Sequence, residues 1–357
     1  MTTRDGTRPL RLGALAIGGG APVSVQTMTK TDTRDVAATV AQIRRVTDLG
    51  CDIVRLAIPD AEAATALAAI RRQVPDVPLV ADIHFDYRLA LAAVEAGVDG
   101  LRINPGNIGG PDRVRAVVEA ARPRRLPIRI GVNGGSLERD LLERHGSATP
   151  EALVESALRH TALLEAEDYH EIKISVKASD VPRTLAAYRL LAARTRYPLH
   201  LGVTEAGTFL AGTVRSCTAM GALLLEGIGN TIRISLTDKP EQEVRVGLEL
   251  LRATGLRAPG PSVTSCPTCG RTRVDVVSIA RAVEDGLERH YRAHPAARRP
   301  HVAVMGCVVN GPGEARGADI AICGGDGNFV LFRDGRRVGL VREAEAVEAV
   351  LKLAREF

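Results

Sequence analysis

The chain has 357 residues and a formal charge of +5, with 47 basic residues set against 42 acidic ones. That length predicts about two domains. The interspersed charges exclude a general nucleic-acid surface, and no stretch is apolar enough for long enough to span a bilayer. Tryptophan is absent and aromatics are scarce, so the core must be built from Ala, Val, Leu and Ile. Arginine far outnumbers lysine, which suits local recognition of a small anion by planar donors. The first residues lack a hydrophobic signal region, which predicts a cytoplasmic protein. In that reducing compartment the six cysteines read as thiols or metal ligands rather than disulfides.

In chain order, the segment 12–23 alternates and is broken by Gly18-Gly19-Gly20, which predicts a hairpin under the body of the fold. Eight strand candidates follow at 23–26, 52–56, 79–84, 100–104, 128–133, 171–177, 199–205 and 231–235. Helical spacing of apolar residues separates them, as at 36–49, 61–74 and 151–165. Thr149-Pro150 places a capping residue before a first-turn proline, and Gly50 and Gly97 sit where helices should stop. Eight strand–helix units predict a (β/α)8 TIM barrel. Glycine and proline crowd 253–261, which divides the chain into 1–255 and a small α/β domain at 256–357. That domain has a helix near 274–290 and strands near 301–305, 319–323 and 329–332.

Barrel chemistry gathers at the C-terminal strand ends, and residues two apart share a strand face. Asp82 and His84 are so spaced, as are Arg102 and Asn104, and Arg233 and Ser235. Arg129 and Asn133 flank Gly131, while Lys173, Ser175 and Lys177 share one parity. Arg55 and Glu205 also lie late in their segments. One buried Arg–Asp pair would be purely structural. Here four arginines and a lysine face one mouth, with Asp82 and Glu205 opposing them, and uncompensated buried cations are costly. The excess predicts an anionic ligand, and bidentate arginines suit a diphosphate. The loop 104–109 offers further backbone donors.

The second domain carries Cys266-Pro267-Thr268-Cys269, then Cys307, then Glu314. Cys-x-x-Cys sets two thiolates on one turn, and a third cysteine pins a distant segment to them. Such soft donors select iron–sulfur clusters or zinc. Three sulfurs and a carboxylate would leave one metal weakly held and open to exchange. A zinc site closed by Cys323 or His301 is the alternative, and a non-catalytic iron or oxygen sensor is another. Cys51, Cys217 and Cys323 otherwise read as small buried thiols.

The stretches 18–29, 81–85, 101–107, 130–137, 175–179, 202–207, 265–271 and 305–315 resemble the hydroxymethylbutenyl diphosphate synthase (GcpE) family of the non-mevalonate isoprenoid pathway. The two cysteine motifs are its most specific signature, and the compact arrangement resembles the bacterial form. The resemblance implies a two-electron reductive dehydration. The substrate would be 2-C-methyl-D-erythritol 2,4-cyclodiphosphate and the product 4-hydroxy-3-methylbut-2-enyl diphosphate. It implies a [4Fe-4S] cluster on Cys266, Cys269, Cys307 and Glu314, with Glu314 the ligand that substrate displaces. Electrons would come from reduced flavodoxin or ferredoxin. Substrate-binding positions would fall on Arg55, Asp82, Arg102, Asn104, Arg129, Asn133, Lys177, Arg233 and Ser235, with Glu205 the first candidate acid and His84 the second. The family relationship further implies a homodimer in which one subunit's cluster domain covers its partner's barrel.

Overall fold

The computed structural model describes residues 2–307, 313 and 316–357. The chain divides into two compact units, Met1–Arg257 and Ala258–Phe357.

Unit 1 opens with an antiparallel hairpin, β1 (Leu10–Leu12) and β2 (Leu15–Ile17). Its turn is at Gly13, in the left-handed region at φ 59°, and not at the glycine run. Gly18 follows β2, and a side chain there would meet the Arg8 carbonyl oxygen at 2.5 Å. The glycines thus allow close backbone approach. Eight parallel strands come next: β3 (Ser24–Met28), β4 (Ile53–Ala57), β5 (Leu79–Asp82), β6 (Gly100–Ile103), β7 (Ile128–Asn133), β8 (Ile172–Lys177), β9 (His200–Leu201) and β10 (Thr231–Ile232). The sheet order β8-β7-β6-β5-β4-β3-β10-β9 leaves β8 and β9 at its ends. They meet through the Ile174–Leu199 bridge, with Ile174 N–H donating to Pro198 O at 3.0 Å. That contact completes the (β/α)8 barrel.

The helices form where the apolar spacing places them: α1 (Val36–Asp48), α2 (Ala61–Gln73), α3 (Tyr87–Glu95), α4 (Pro111–Ala121), α5 (Arg139–His145), α6 (Pro150–Glu165), α7 (Val181–Arg194), α8 (Phe209–Leu225) and α9 (Pro240–Ala253). Asp35, Asp60, Asp86, Thr149 and Asp180 each accept a first-turn amide, satisfying donors the helix leaves unpaired. Gly50 and Gly97 end their helices at φ 94° and 91°. Outward strand residues such as Ile172, Ile174 and Val176 join the helices in one apolar shell.

Unit 2 is a five-stranded sheet ordered β11 (Ser262–Ser265), β12 (His301–Met305), β13 (Ile320–Gly324), β14 (Asn328–Arg333) and β15 (Arg336–Arg342). The first three strands are parallel and the last two antiparallel. α10 (Val276–Ala293) and α11 (Ala346–Arg355) cover one face through Val283, Leu287, Val350 and Leu351. The sequence reading lacked β11, β15 and α11. Both strands lie at sheet edges and are largely polar or charged, so their pattern is weak.

The hairpin is a plug. Leu10, Leu12 and Ile17 pack on Ile53 and Val80 from the early part of the barrel strands. Gly100 leaves room for Leu12, whose Cδ1 a side chain at 100 would meet at 2.6 Å. Leu12→Ala is therefore expected to lower unfolding free energy by about 2–5 kcal/mol. Denaturant titration checks this, and an unchanged midpoint would show that the plug carries no stability.

Candidate active site

The late barrel strands bring the predicted cations together. Arg55, Asp82, Arg102, Asn104, Arg129 and Lys177 are all buried. Asp82 is the hub: its Oδ1 lies 3.4 Å from Arg102 Nη1 and its Oδ2 3.7 Å from Arg55 Nε. Burial alone would raise its carboxyl. Arg55, His84 and Arg102 outweigh that and hold it well below the usual carboxylate range. Arg102 Nη2 also donates to Gly131 O at 2.9 Å, and Arg129 Nη1 donates to Ser175 Oγ at 2.5 Å. Asn104 Oδ1 accepts the Gly131 amide at 3.0 Å, tying two neighbouring strand ends together.

The cations crowd one another. Burial, only partly offset by Asp82, brings Arg55 down to about 10. Burial and the charges of Arg129, Arg233, Arg55 and Arg102 push Lys177 well below the usual lysine range. Lys173, two pleat repeats deeper on β8, is brought to about 7 by burial and by Arg129. Arg102 Nε, Arg129 Nε and Nη2, and Arg233 Nε are buried without a hydrogen-bond partner among the described residues. These are donors waiting for an acceptor.

Three expected strands end early, and this moves several residues. β5 stops at Asp82, leaving His84 exposed with its Nε2 3.6 Å from Asp82 Oδ2 and 3.2 Å from Arg102 Nη1. β9 stops at Leu201 because the next backbone presses on its neighbours. A side chain at Gly202 would meet Lys177 Nζ at 2.7 Å and Arg233 O at 2.9 Å. Glu205 accordingly sits on an exposed left-handed turn, φ 51°, rather than on a strand face. β10 stops at Ile232, so Arg233 and Ser235 occupy extended chain beyond it, half-buried. Asn133 ends β7, half-buried.

The second buried carboxylate is Glu243, which the sequence reading missed. It accepts from Thr27 Oγ1 at 2.7 Å and from Leu236 N at 3.1 Å. Lys30 Nζ is 3.1 Å away and Arg233 Nη2 3.6 Å. Its signal was its place on the buried stripe of α9, beside Val244 and Gly247. Met28 was missed too: its sulfur receives Arg55 Nε at 3.2 Å and Nη2 at 2.9 Å.

In unit 2 the cysteines gather at one end of adjacent parallel strands. Ser265 pairs with Val304, and Cys266 N–H continues that ladder to Val304 O at 3.0 Å. Cys307 follows two residues after β12. Thr268, at φ 65°, turns its amide onto Cys266 Sγ at 3.3 Å, and Cys269 N–H donates to Thr272 Oγ1 at 3.1 Å. Cys266 is half-buried, Cys269 exposed and Cys307 buried. Among the described residues no three His, Cys, Asp or Glu side chains converge as a metal site. Glu314 lies outside the described residues. Cys323 is buried on β13, where burial and Cys307 push its thiol up to about 11. His301 begins β12, at the end away from Cys307, and its ring meets Thr264 Oγ1 and Gly317 O. Cys51 is buried as expected, but Cys217 on α8 is only half-buried.

The family description "GcpE TIM-barrel domain" matches residues 7–248, and "GcpE protein C-terminal domain" matches 262–356. The chain belongs to the GcpE family. A 4-hydroxy-3-methylbut-2-en-1-yl diphosphate synthase (flavodoxin) of Geobacter sulfurreducens is 55% identical over 97% of this chain and 96% of its own. One of the same name from Thermodesulfovibrio yellowstonii is 50% identical over the whole of both. The dihydropteroate synthase structure from Yersinia pestis is similar at 14% identity and TM-score 0.48, covering 69% of this chain and 97% of that one. A likeness at that level says nothing about chemistry.

In this GcpE chain Gly131 is the spacer between two guanidinium groups. A methyl there would sit 2.7 Å from Arg102 Nε and 3.2 Å from Arg129 Nη1. Gly131→Ala is expected to weaken inorganic pyrophosphate binding about tenfold or more while circular dichroism stays unchanged. Equal affinity would remove the anion role from this pair. The thiols are expected to separate by chemistry. In metal-free protein at mildly alkaline pH, iodoacetamide should modify Cys266 and Cys269 well before Cys323. Mass spectrometry finding Cys323 modified first would contradict the assignment of a buried, protonated thiol.

Proposed function

We propose that the protein converts 2-C-methyl-D-erythritol 2,4-cyclodiphosphate to 4-hydroxy-3-methylbut-2-enyl diphosphate. One carbon–oxygen bond to phosphate opens the ring, one hydroxyl leaves as water, and two electrons and two protons are taken up. The observation that supports this reading is the barrel mouth, where buried cations outnumber the carboxylates Asp82 and Glu243. Arg55, Arg102, Arg129, Lys177 and Arg233 hold the diphosphate, whose charge replaces the missing counter-anions. Asp82 keeps Arg55 and Arg102 aligned, and Asn104 fixes the strand end beside them. Asn133 and Ser235 supply further polar contacts to substrate at the rim.

We assign Cys266, Cys269, Cys307 and Glu314 as ligands of a [4Fe-4S] cluster. The donor set fits in kind: three soft sulfurs on neighbouring strand ends, with the Thr268 amide already directed at one of them. When bound, such a cluster supplies single electrons and, at an iron with an exchangeable ligand, a Lewis acid. Reduced flavodoxin or ferredoxin is the electron source, and the enzyme works as a cytoplasmic homodimer. Glu205 delivers a proton at the mouth. His84 leans on Asp82 and Arg102, which suits an orienting role better than proton transfer.

Anaerobic turnover of the cyclodiphosphate with reduced flavodoxin tests the whole reading. Reconstituted protein should carry iron and sulfide in equal amounts and lose both in Cys266→Ser. A colourless, inactive preparation that holds zinc would overturn it. Glu205→Gln is expected to lower kcat by about 10²–10⁴-fold with pyrophosphate affinity unchanged. A normal kcat would move the acid role elsewhere.

A further inference from the structure

The polar interior of the barrel continues below the diphosphate floor. Gln26, Arg129, Lys173 and His200 are 1%, 3%, 2% and 0% exposed. Arg129, Lys173 and His200 lie on the consecutive strands β7, β8 and β9, and Gln26 lies on β3, beyond β10. Arg129 and Lys173 are register partners on β7 and β8. His200 on β9 is the partner of Thr231 on β10, and its Nδ1 lies 2.8 Å from Thr231 Oγ1. Thr231 pairs in turn with Ser24, two residues before Gln26 on the same face of β3. The opposite side of the barrel, at Ile53 and Val80, is closed by the apolar plug.

Every one of these four side chains has a buried polar atom without a partner among the described residues. They are both amide atoms of Gln26, Arg129 Nε and Nη2, Lys173 Nζ and His200 Nε2. Most are donors. The charged group acting on Lys173 is another cation, Arg129. The strongest charges acting on His200 are Lys177, Arg129, Lys173 and Arg55. Asp82, the carboxylate that acts on Arg129, is already shared by Arg55 and Arg102. Water would satisfy the donors yet leave the Arg129 guanidinium, and Lys173 whenever it is protonated, short of counter-charge in a low-dielectric interior. An anion does both, and a spherical one asks for no donor-acceptor pattern in return.

We propose that the barrel interior holds a halide-sized inorganic anion, bound by Lys173 Nζ and the Arg129 guanidinium with donors from His200 and Gln26, beneath the diphosphate site. The site stands whatever reaction the mouth performs. It neutralises the inner cations, so they repel the outer arginines less.

The test uses the full chain. Crystals grown in sodium bromide should give an anomalous peak between Lys173, Arg129 and His200. The melting midpoint in sodium bromide or chloride should exceed that in sodium gluconate at equal ionic strength, rising to saturation. The difference should persist with inorganic pyrophosphate saturating the mouth, and it should vanish in Lys173→Met. Should that variant not fold, Gln26→Leu, which keeps both charges, is expected to weaken the halide response. Ordered water without an anomalous peak overturns the proposal. So does a bromide peak without any halide-specific stabilisation, or a halide response that Lys173→Met retains in full.

Discussion

The barrel is organised around an imbalance of buried charge. Asp82 lies within 4 Å of two guanidinium groups and of the His84 imidazole. Glu243 plays the same part across the mouth for Arg233 and Lys30. Beyond these pairs, Arg129 and Lys177 are basic groups in a dry interior, where the backbone is cut away around them. Gly131 and Gly202 are the cuts, since either position with a methyl would overlap the charged side chains. Burying positive charge in this way costs stability, and on the proposed function the diphosphate offsets that cost.

The second unit solves a different problem. Two parallel strands end just before Cys266 and Cys307, and Thr268 turns the chain between Cys266 and Cys269. The sheet face that carries Ala303, Ala321 and Cys323 has mostly small residues around Met305, while the face under α10 and α11 holds most of the large aliphatics. Keeping Cys323 as a buried thiol leaves the three motif cysteines as the soft donors available at that edge.

Much of this was readable from residue order. Eight strands with intervening helices gave the barrel, because the alternation of apolar and polar positions is strong where one side faces helices and the other the axis. The parity argument picked out Arg55, Asp82, Arg102, Asn104, Arg129 and Lys177 correctly as interior groups. It failed at strand ends. His84, Ser235 and Glu205 lie past the last ladder bond, where periodicity no longer dictates direction, and Glu205 occupies a left-handed turn; Arg233 N–H still donates to Leu201 O at 3.0 Å, and its side chain faces Glu243 in the mouth as parity predicts. Glu243 was invisible because a carboxylate in the first turn of a helix is ordinarily a surface partner of the helix dipole. The turn of the hairpin was misplaced for a similar reason. Three glycines drew attention from Gly13, whose single positive φ makes the reversal.

The central claim is that the surplus of buried cations exists to receive a diphosphate. A crystal structure of the protein with 2-C-methyl-D-erythritol 2,4-cyclodiphosphate tests it most directly. The account predicts both phosphates among Arg55, Arg102, Arg129 and Lys177, with the unpartnered Nε of Arg102 and of Arg233 donating to them. Phosphates bound elsewhere, with those nitrogens still unsatisfied, would contradict it.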